Sequence, residues 1–240
     1  MEYSARRLEC ITCRTYADGY SPRKRFTPSI MDLLDGLRWR YATKRFDPER
    51  RVSDEQVRQL AEAVNLTASS FGLQHYRLIV VQDQATQEEL RKVSYDQPQV
   101  TECSHVFVLA AKTDLSGDYV DDYMRRMAET RGVELDQVSG FGEYIKGSLS
   151  QRDANFIANW NKRQAYMGLS TLLAACGELR IDSCPMEGFQ PEDYDRILGL
   201  SARGLTATVI AAVGYRAEGD ATQHHKKVRL PLEEFVTVIS

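Results

Sequence analysis

The sequence predicts an α+β fold with a mixed central sheet flanked by helices. Short apolar, β-branched runs with strand character are separated by helical patterns of very unequal length. No internal repeat or low-complexity tract interrupts them, so one domain accounts for the patterned region.

Residues 1–30 stand apart from that pattern. They are basic through Arg6, Arg7, Arg14, Arg23, Lys24 and Arg25, contain Pro22 and Pro28, and lack aliphatic periodicity, as expected of a flexible leader or of sequence ahead of a true start at Met31. Cys10 and Cys13 form a CxxC, half of a zinc site or a redox pair. Zinc needs four ligands, and no second CxxC or spaced His pair follows nearby, so the leader reading is preferred and no metal site is expected.

From Ser29 onward the elements follow in order. Ile30, Leu33, Leu34 and Leu37 mark one face of a helix capped by Ser29. Ser53 and Gln56 have capping-box spacing, opening a second helix through Val57, Leu60, Ala61 and Val64. Tyr76 to Val81 and Val106 to Ala111 are short, apolar and β-branched, the pattern of buried strands. Between them Ala85 to Val93 predicts a short helix, and after them Asp118 to Arg131 predicts a longer polar one. Asn155 to Leu179, rich in Ala, Leu and small residues around Gly168, predicts a long helix packed inside a core or a dimer interface. Leu205 to Val213 is a strand ended by Gly214. Leu232 to Ile239 is strand-like but lies beyond a basic linker, free to pair with a distant sheet edge or another subunit.

Composition narrows the function. Hydrophobic residues at 42% and charged residues at 27% describe a globular chain, with no apolar run long enough to span a membrane. A net charge of −3 with both signs interspersed gives no global field for nucleic acid, so any anion site must be local. Five irregularly spaced cysteines form no disulfide framework and point to a reducing, cytoplasmic setting. GxGxxG after a strand, GxxxxGK, HExxH and GxSxG are all missing, which disfavours Rossmann-type, P-loop, zincin and serine-hydrolase chemistry. His105 opens an apolar strand, as a hydrogen-bonded core residue would. His224 and His225 are adjacent and point in different directions, so they make a poor metal pair.

What remains are scattered groups, each with a plain alternative. Arg40 and Lys44, four apart, bracket a phosphate or simply complement a helix end. Lys226, Lys227 and Arg229 before Pro231 form an anion site or a charged linker. Ser69 and Ser70 before Gly72 make a polar turn that caps elements or lines a cofactor. Asp96, Gln97, Pro98 and Gln99 form a polar loop whose amides suit the edge of a heterocycle. After a short β-like step, Pro185 fixes the chain direction and Gly188 allows close approach, so the segment with Glu187 presents backbone N–H groups to a planar ring or merely turns the chain.

In this order, Arg40 and Lys44, Ser69-Ser70, Gln97-Pro98-Gln99, Pro185-x-Glu187-Gly188 and Lys227-x-Arg229-Leu230-Pro231 resemble the oxygen-insensitive NAD(P)H nitroreductase family, in its FMN-dependent nitroreductase and dihydropteridine reductase branch. The resemblance covers residues 31–240. It implies an interlocked homodimer with FMN at the interface and a C-terminal extension reaching the partner. Arg40, Lys227 and Arg229 would then hold the phosphate, with Lys44 beside the pyrimidine edge. Pro185, Glu187 and Gly188 would approach N5 and O4, and Asp96 and Gln99 would contact the ring or ribityl chain. Ser69, Ser70 and Gly72 would reach across from the other subunit. Ala42, Gly72, Asp96 and Gln99 depart from the residues that relatives carry there, namely serine, asparagine, asparagine and, in some, lysine. The activity implied is ping-pong hydride transfer from NADH or NADPH through flavin N5 to quinones, nitroaromatics, pterins or free flavins. No side-chain nucleophile takes part, so no catalytic side chain is assigned. Phe141 and Tyr144 are expected as a lid over the substrate. The alternatives are a non-enzymatic flavin-binding redox module and a related flavin enzyme such as a reductive dehalogenase.

Overall fold

The structure is a computed structural model that describes residues 30–239. Four strands, β1 (Tyr76–Val81), β2 (His105–Lys112), β3 (Asp182–Met186) and β4 (Leu205–Gly214), form one sheet in the order β1-β2-β4-β3. Neighbouring strands are antiparallel throughout. Among the described residues, parallel pairing enters through one isolated bridge, Ala42 with Ser183, at the β3 edge.

Side-chain alternation along β2 divides the core into two layers. Val106, Val108 and Ala110 pack with Leu90 of α3 (Gln84–Lys92), Tyr194 of α8 (Pro191–Ile197) and Ile210. Phe107 and Leu109 point the other way, onto Leu60 and Val64 of α2 (Asp54–Asn65) and Ala165 and Leu172 of α7 (Ala154–Glu178). Each of the Val, Leu, Ile and Phe side chains among these contributes about 1.5–3 kcal/mol by burial, against about 0–1 kcal/mol for an exposed ion pair. The two layers therefore hold the fold. The β2–β4 register slips between Leu109 and Ala110, and the extra residue, Thr208, uses its hydroxyl to accept from the Ala111 amide at 3.3 Å.

Most predicted elements form where the pattern placed them. The capping box is reciprocal: Ser53 Oγ accepts from Gln56 N, and Gln56 Oε1 accepts from Ser53 N. A Cβ on Gly168 would stand 2.9 Å from the Tyr76 ring, which is why a small residue is needed where α7 lies on the sheet. α5 (Gly117–Arg131) and α6 (Asp136–Ser150) pair beside α7 over a third cluster that includes Leu73, Val120, Met124 and Ile145.

One expectation changes. Leu232 to Ile239 is not a strand: Leu232–Phe235 is a single helical turn, α9. Pro231 at its N-cap, with φ −53°, and Glu233 and Glu234 in its first turn favour a helix start, and no strand of the described chain lies alongside to pair with it. The leucine face of α1 (Ile30–Trp39) is not buried within the chain. Leu33, Leu34 and Leu37 stay exposed, while α1 meets α7 through Gly36 and Gly177, whose backbones touch. Pro185 itself lies inside the strand β3. An edge strand tolerates its missing N–H, and it pairs only with Ala211 of β4. The readings of Cys10, Cys13 and the Ser29 cap lie outside the described residues.

Candidate functional site

The chain leaving α1 crosses the β3 edge and carries Arg40, Ala42 and Lys44 along it. Ala42 bridges Ser183, and Thr43 N donates to Ser183 O at 3.4 Å. Arg216 fastens the start of this segment. Its guanidinium lies 4.4 Å over the Trp39 ring and 4.7 Å over the Tyr41 ring while pairing with the buried Asp182 at 2.6 Å. Asp220 fastens the end, accepting from Tyr41 OH and from the Lys44 amide, both at 2.9 Å.

Two cations from the far end of the chain join Arg40. Lys227 Nζ donates to the carbonyls of Leu37 and Arg40, filling acceptors that a helix C-terminus leaves open. Burial, then the fields of Arg40 and Arg229, lowers the Lys227 pKa. Arg40 is likewise lowered, chiefly by burial, with Cys176 and Cys184 opposing and Arg229 reinforcing. Its Nε is buried and has no hydrogen-bond partner. No carboxylate among the described residues pairs with Arg40, Lys44, Lys227 or Arg229. Gathering like charges around an orphaned donor costs energy that a bound anion would return.

Beyond these cations the β3 edge meets the 95–99 loop. Lys44 Nζ stands 4.0 Å from the buried Cys184 thiol. Tyr95 and Asp96, with φ of 53° and 56°, turn the chain sharply so that the Gln97 amide donates to Gly188 O at 2.7 Å. A Cβ at Gly188 would lie 2.9 Å from that amide nitrogen, so a larger residue here would push the Gln97 side chain off its hydrogen bond. Glu187 is exposed and accepts from Tyr166 OH of α7 at 2.7 Å. Asp96 turns away to pair with Arg91 at 2.7 Å. Gln99 opens the short helix α4 (Gln99–Glu102) and is buried, its Oε1 without a partner.

The remaining predicted residues lie elsewhere in the chain. Ser69 Oγ accepts from Gln74 N, and the Ser70 amide donates to Gln164 Oε1 of α7, both at 2.9 Å. Phe71 and Gly72 follow with φ of 56° and 74°, and the Phe71 ring packs partly buried against the third cluster. Phe141 and Tyr144 of α6 meet that ring edge-on at 6.2 Å, and Trp160 meets it at 6.0 Å. Behind Trp160 lies His75, buried, stacked at 4.3 Å, with neither ring nitrogen bonded. Burial depresses its pKa to about 4. From Gln164 to Gly177, where α1 crosses, α7 rises about 20 Å at ~1.5 Å per residue. Within one chain, the Ser69 turn and the cation cluster are therefore well separated.

The model of the nitroreductase family matches residues 37–215, a span that takes in the β3 edge and the Ser69 turn. The chain belongs to the nitroreductase family. Among family relatives, the Bacillus subtilis protein described as "Putative NAD(P)H nitroreductase YfkO" is 33% identical over 195 residues, covering 77% of this chain and 88% of its own. The major NAD(P)H-flavin oxidoreductase of Aliivibrio fischeri is 29% identical over 214 residues, covering 86% and 98%. The same fold appears in a protein from Exiguobacterium sibiricum described as a "putative nitroreductase in complex with FMN". It has a TM-score of 0.75 at 17% identity, covering 90% of this chain and 99% of that one.

The ordered motifs carry the family resemblance, yet several residues of this candidate site have no local signal. Phe71 lies inside the turn that the sequence singles out. Asp220 and Arg216 have no such marker, because their partners at 39–45 are remote in sequence. His105 behaves as read: it is buried, with Nδ1 at 2.9 Å from Ser104 Oγ and Nε2 at 3.3 Å from Gln82 Oε1. Among the described residues, no group of three or more His, Cys, Asp or Glu side chains is arranged to hold a metal, and no helix is long and apolar enough to cross a membrane.

Proposed function

We propose that this chain is an FMN-dependent oxidoreductase, working as a homodimer, that passes hydride from NADH or NADPH to quinones, nitroaromatics or similar small acceptors in a ping-pong cycle. The observation that carries the reading is the buried, unpartnered Arg40 Nε beside Lys227 and Arg229. A phosphate monoester with nearly two negative charges fits that cradle, and its oxygens would satisfy the orphaned donor.

FMN bound there supplies the hydride relay between nicotinamide and acceptor. The chain supplies position and field. Lys44, without a carboxylate of its own, would favour added negative charge on a ring edge beside it. Pro185, Glu187 and Gly188 would bring backbone beside the ring, with Gly188 held by the Gln97 amide. Ala42 and Gln99 would flank it, and Asp96, paired with Arg91, would act through the loop.

Two observations support a second copy. The Ser69, Ser70 and Gly72 turn and the Phe141 and Tyr144 lid lie about 20 Å from the cations along α7, so one ligand reaches both only across a two-fold axis. In addition, the arm bearing Leu230, Leu232, Phe235, Val238 and Ile239, together with Leu33, Leu34 and Leu37 of α1, leaves a broad apolar surface uncovered. An arm crossing to the partner covers both.

The test is anaerobic. Protein loaded with FMN should bleach on adding NADPH or NADH, then regain colour stoichiometrically with a quinone or a nitroaromatic. Failure to bleach with either nicotinamide would overturn the enzyme reading. Bleaching with no turnover across an acceptor panel would leave a flavin-binding redox module.

A further inference from the structure

We propose that Asp220 is the positioning residue that couples the two cation-bearing segments of the phosphate cradle, an assignment that rests on the FMN reading above. Its carboxylate is 1% exposed and meets four donors from two parts of the chain. Oδ2 accepts from Tyr41 OH and Lys44 N at 2.9 Å and from Arg45 N at 3.4 Å. Oδ1 accepts from Thr222 N at 3.0 Å, which caps the 3-10 turn Ala221–His224. That turn is the only regular structure between Asp220 and Lys227, whose Nζ reaches back to the Leu37 and Arg40 carbonyls. One side chain thus holds the 41–45 segment with one oxygen and starts the path to Lys227 and Arg229 with the other.

The two sides depend on it unequally. The 41–45 segment has further anchors: the Ala42–Ser183 bridge, the Thr43–Ser183 hydrogen bond and the Arg45–Glu102 ion pair. The 221–229 segment has few. Among the described residues, Lys227 is the only one of this segment donating to α1, and Arg229 bonds only the neighbouring Val228 carbonyl. Burial pushes the Asp220 carboxyl pKa up, but the hydrogen bonds from Lys44, Thr222, Tyr41 and Arg45 outweigh it and hold the group below the ordinary carboxylate range, so it is an acceptor on both oxygens. An amide offers one acceptor oxygen and turns an NH2 group toward the donors on its other side. Substitution by Asn therefore releases one half of the coupling without changing side-chain volume.

The experiment compares two flavins on apo full-length protein by fluorescence titration. Asp220→Asn should weaken FMN binding by about tenfold or more, while riboflavin, which has the ring but no phosphate, shifts by less than about threefold. Tyr41→Phe, which removes one donor to Oδ2, should show a smaller loss confined to FMN. Unchanged FMN affinity in Asp220→Asn, or an equal loss for both flavins, overturns the assignment. Should Asp220→Asn fail to fold by circular dichroism, Tyr41→Phe decides: an FMN-selective loss supports the coupling, and unchanged affinity overturns it. Wild-type protein that binds no FMN would remove the cofactor reading itself, and this assignment with it.

Discussion

The two ends of α7 carry regions of opposite character. At the Gly177 end, cations crowd an edge strand around a guanidinium with an unused donor, held in place by Asp182 and Asp220. At the Gln164 end, Phe71, Phe141, Tyr144 and Trp160 form an aromatic cluster with little charge, and its neighbour His75 is kept neutral by burial. The contrast suits two tasks that one ligand would combine: the charged region has the chemistry to take an anionic tail, and the aromatic region that to face a planar ring or acceptor. Neither region does both, so the difference itself argues for assembly across two copies.

The largest expected effect tests that division. Arg40→Ala should raise the FMN dissociation constant on the order of 100-fold, the scale of losing charge-assisted hydrogen bonds to a phosphate. Ser70→Glu should impair the other half by setting a carboxylate against the bound flavin. Mixing the two unfolded variants and refolding them together should restore about one quarter of wild-type sites, because half the random pairs are mixed and each mixed pair has one intact site. No recovery in the mixture would mean that both regions serve a site within one chain. Next, Gly72→Ala should cost about 1–2 kcal/mol in denaturant unfolding, because alanine at φ 74° is strained. The added Cβ would also stand 2.3 Å from the Tyr123 hydroxyl, forcing that side chain aside. FMN affinity should fall alongside; full stability would show that the turn adapts more freely than its dihedrals imply.

The smallest effect is a pH dependence. His75 titrates at about 4 in the folded chain, below its ordinary 6.5, so on acidification the unfolded chain takes up the proton first. Its contribution is fully present above 6.5 and is lost as pH falls toward 4. Between about pH 7.5 and about pH 5.5 this amounts to about 1 kcal/mol of lost stability. His105, also depressed to about 4 by burial, adds a loss of the same sign. His75→Phe, which keeps a ring against Trp160, should remove roughly half of that slope, given two equivalent groups. A slope that does not change would mean that His75 is protonated and solvated despite its burial.

How much was legible in the sequence varies with how local the cause is. β1 is found at its predicted residues, and the Ser53–Gln56 capping box bonds in both directions, since period and cap are written in adjacent residues. β3 shows in the sequence only as a short β-like step of undefined bounds, because Asp-Ser-Cys-Pro-Met has little intrinsic strand preference and pairs because β4 is beside it. α4 and α8, each under three turns, left no periodicity to read. In the site, ordered motifs were enough to select Arg40, Lys44, Gly188, Lys227 and Arg229, which the fold gathers along one edge. The carboxylates that hold those residues in place were invisible. Asp182 and Asp220 are ordinary acidic residues until folding brings Arg216, Tyr41 and the 44–45 amides to them.

Where α1 passes α7, main chain rests directly on main chain at Gly36 and Gly177, with no side chain as a spacer. Rotamers relax and interdigitated side chains repack, but bare peptide against bare peptide has almost no slack. Arg40 begins immediately after that crossing. The reach of its guanidinium is thereby gauged from the spine of the long helix, and thermal wobble elsewhere in the layers has little leverage on it.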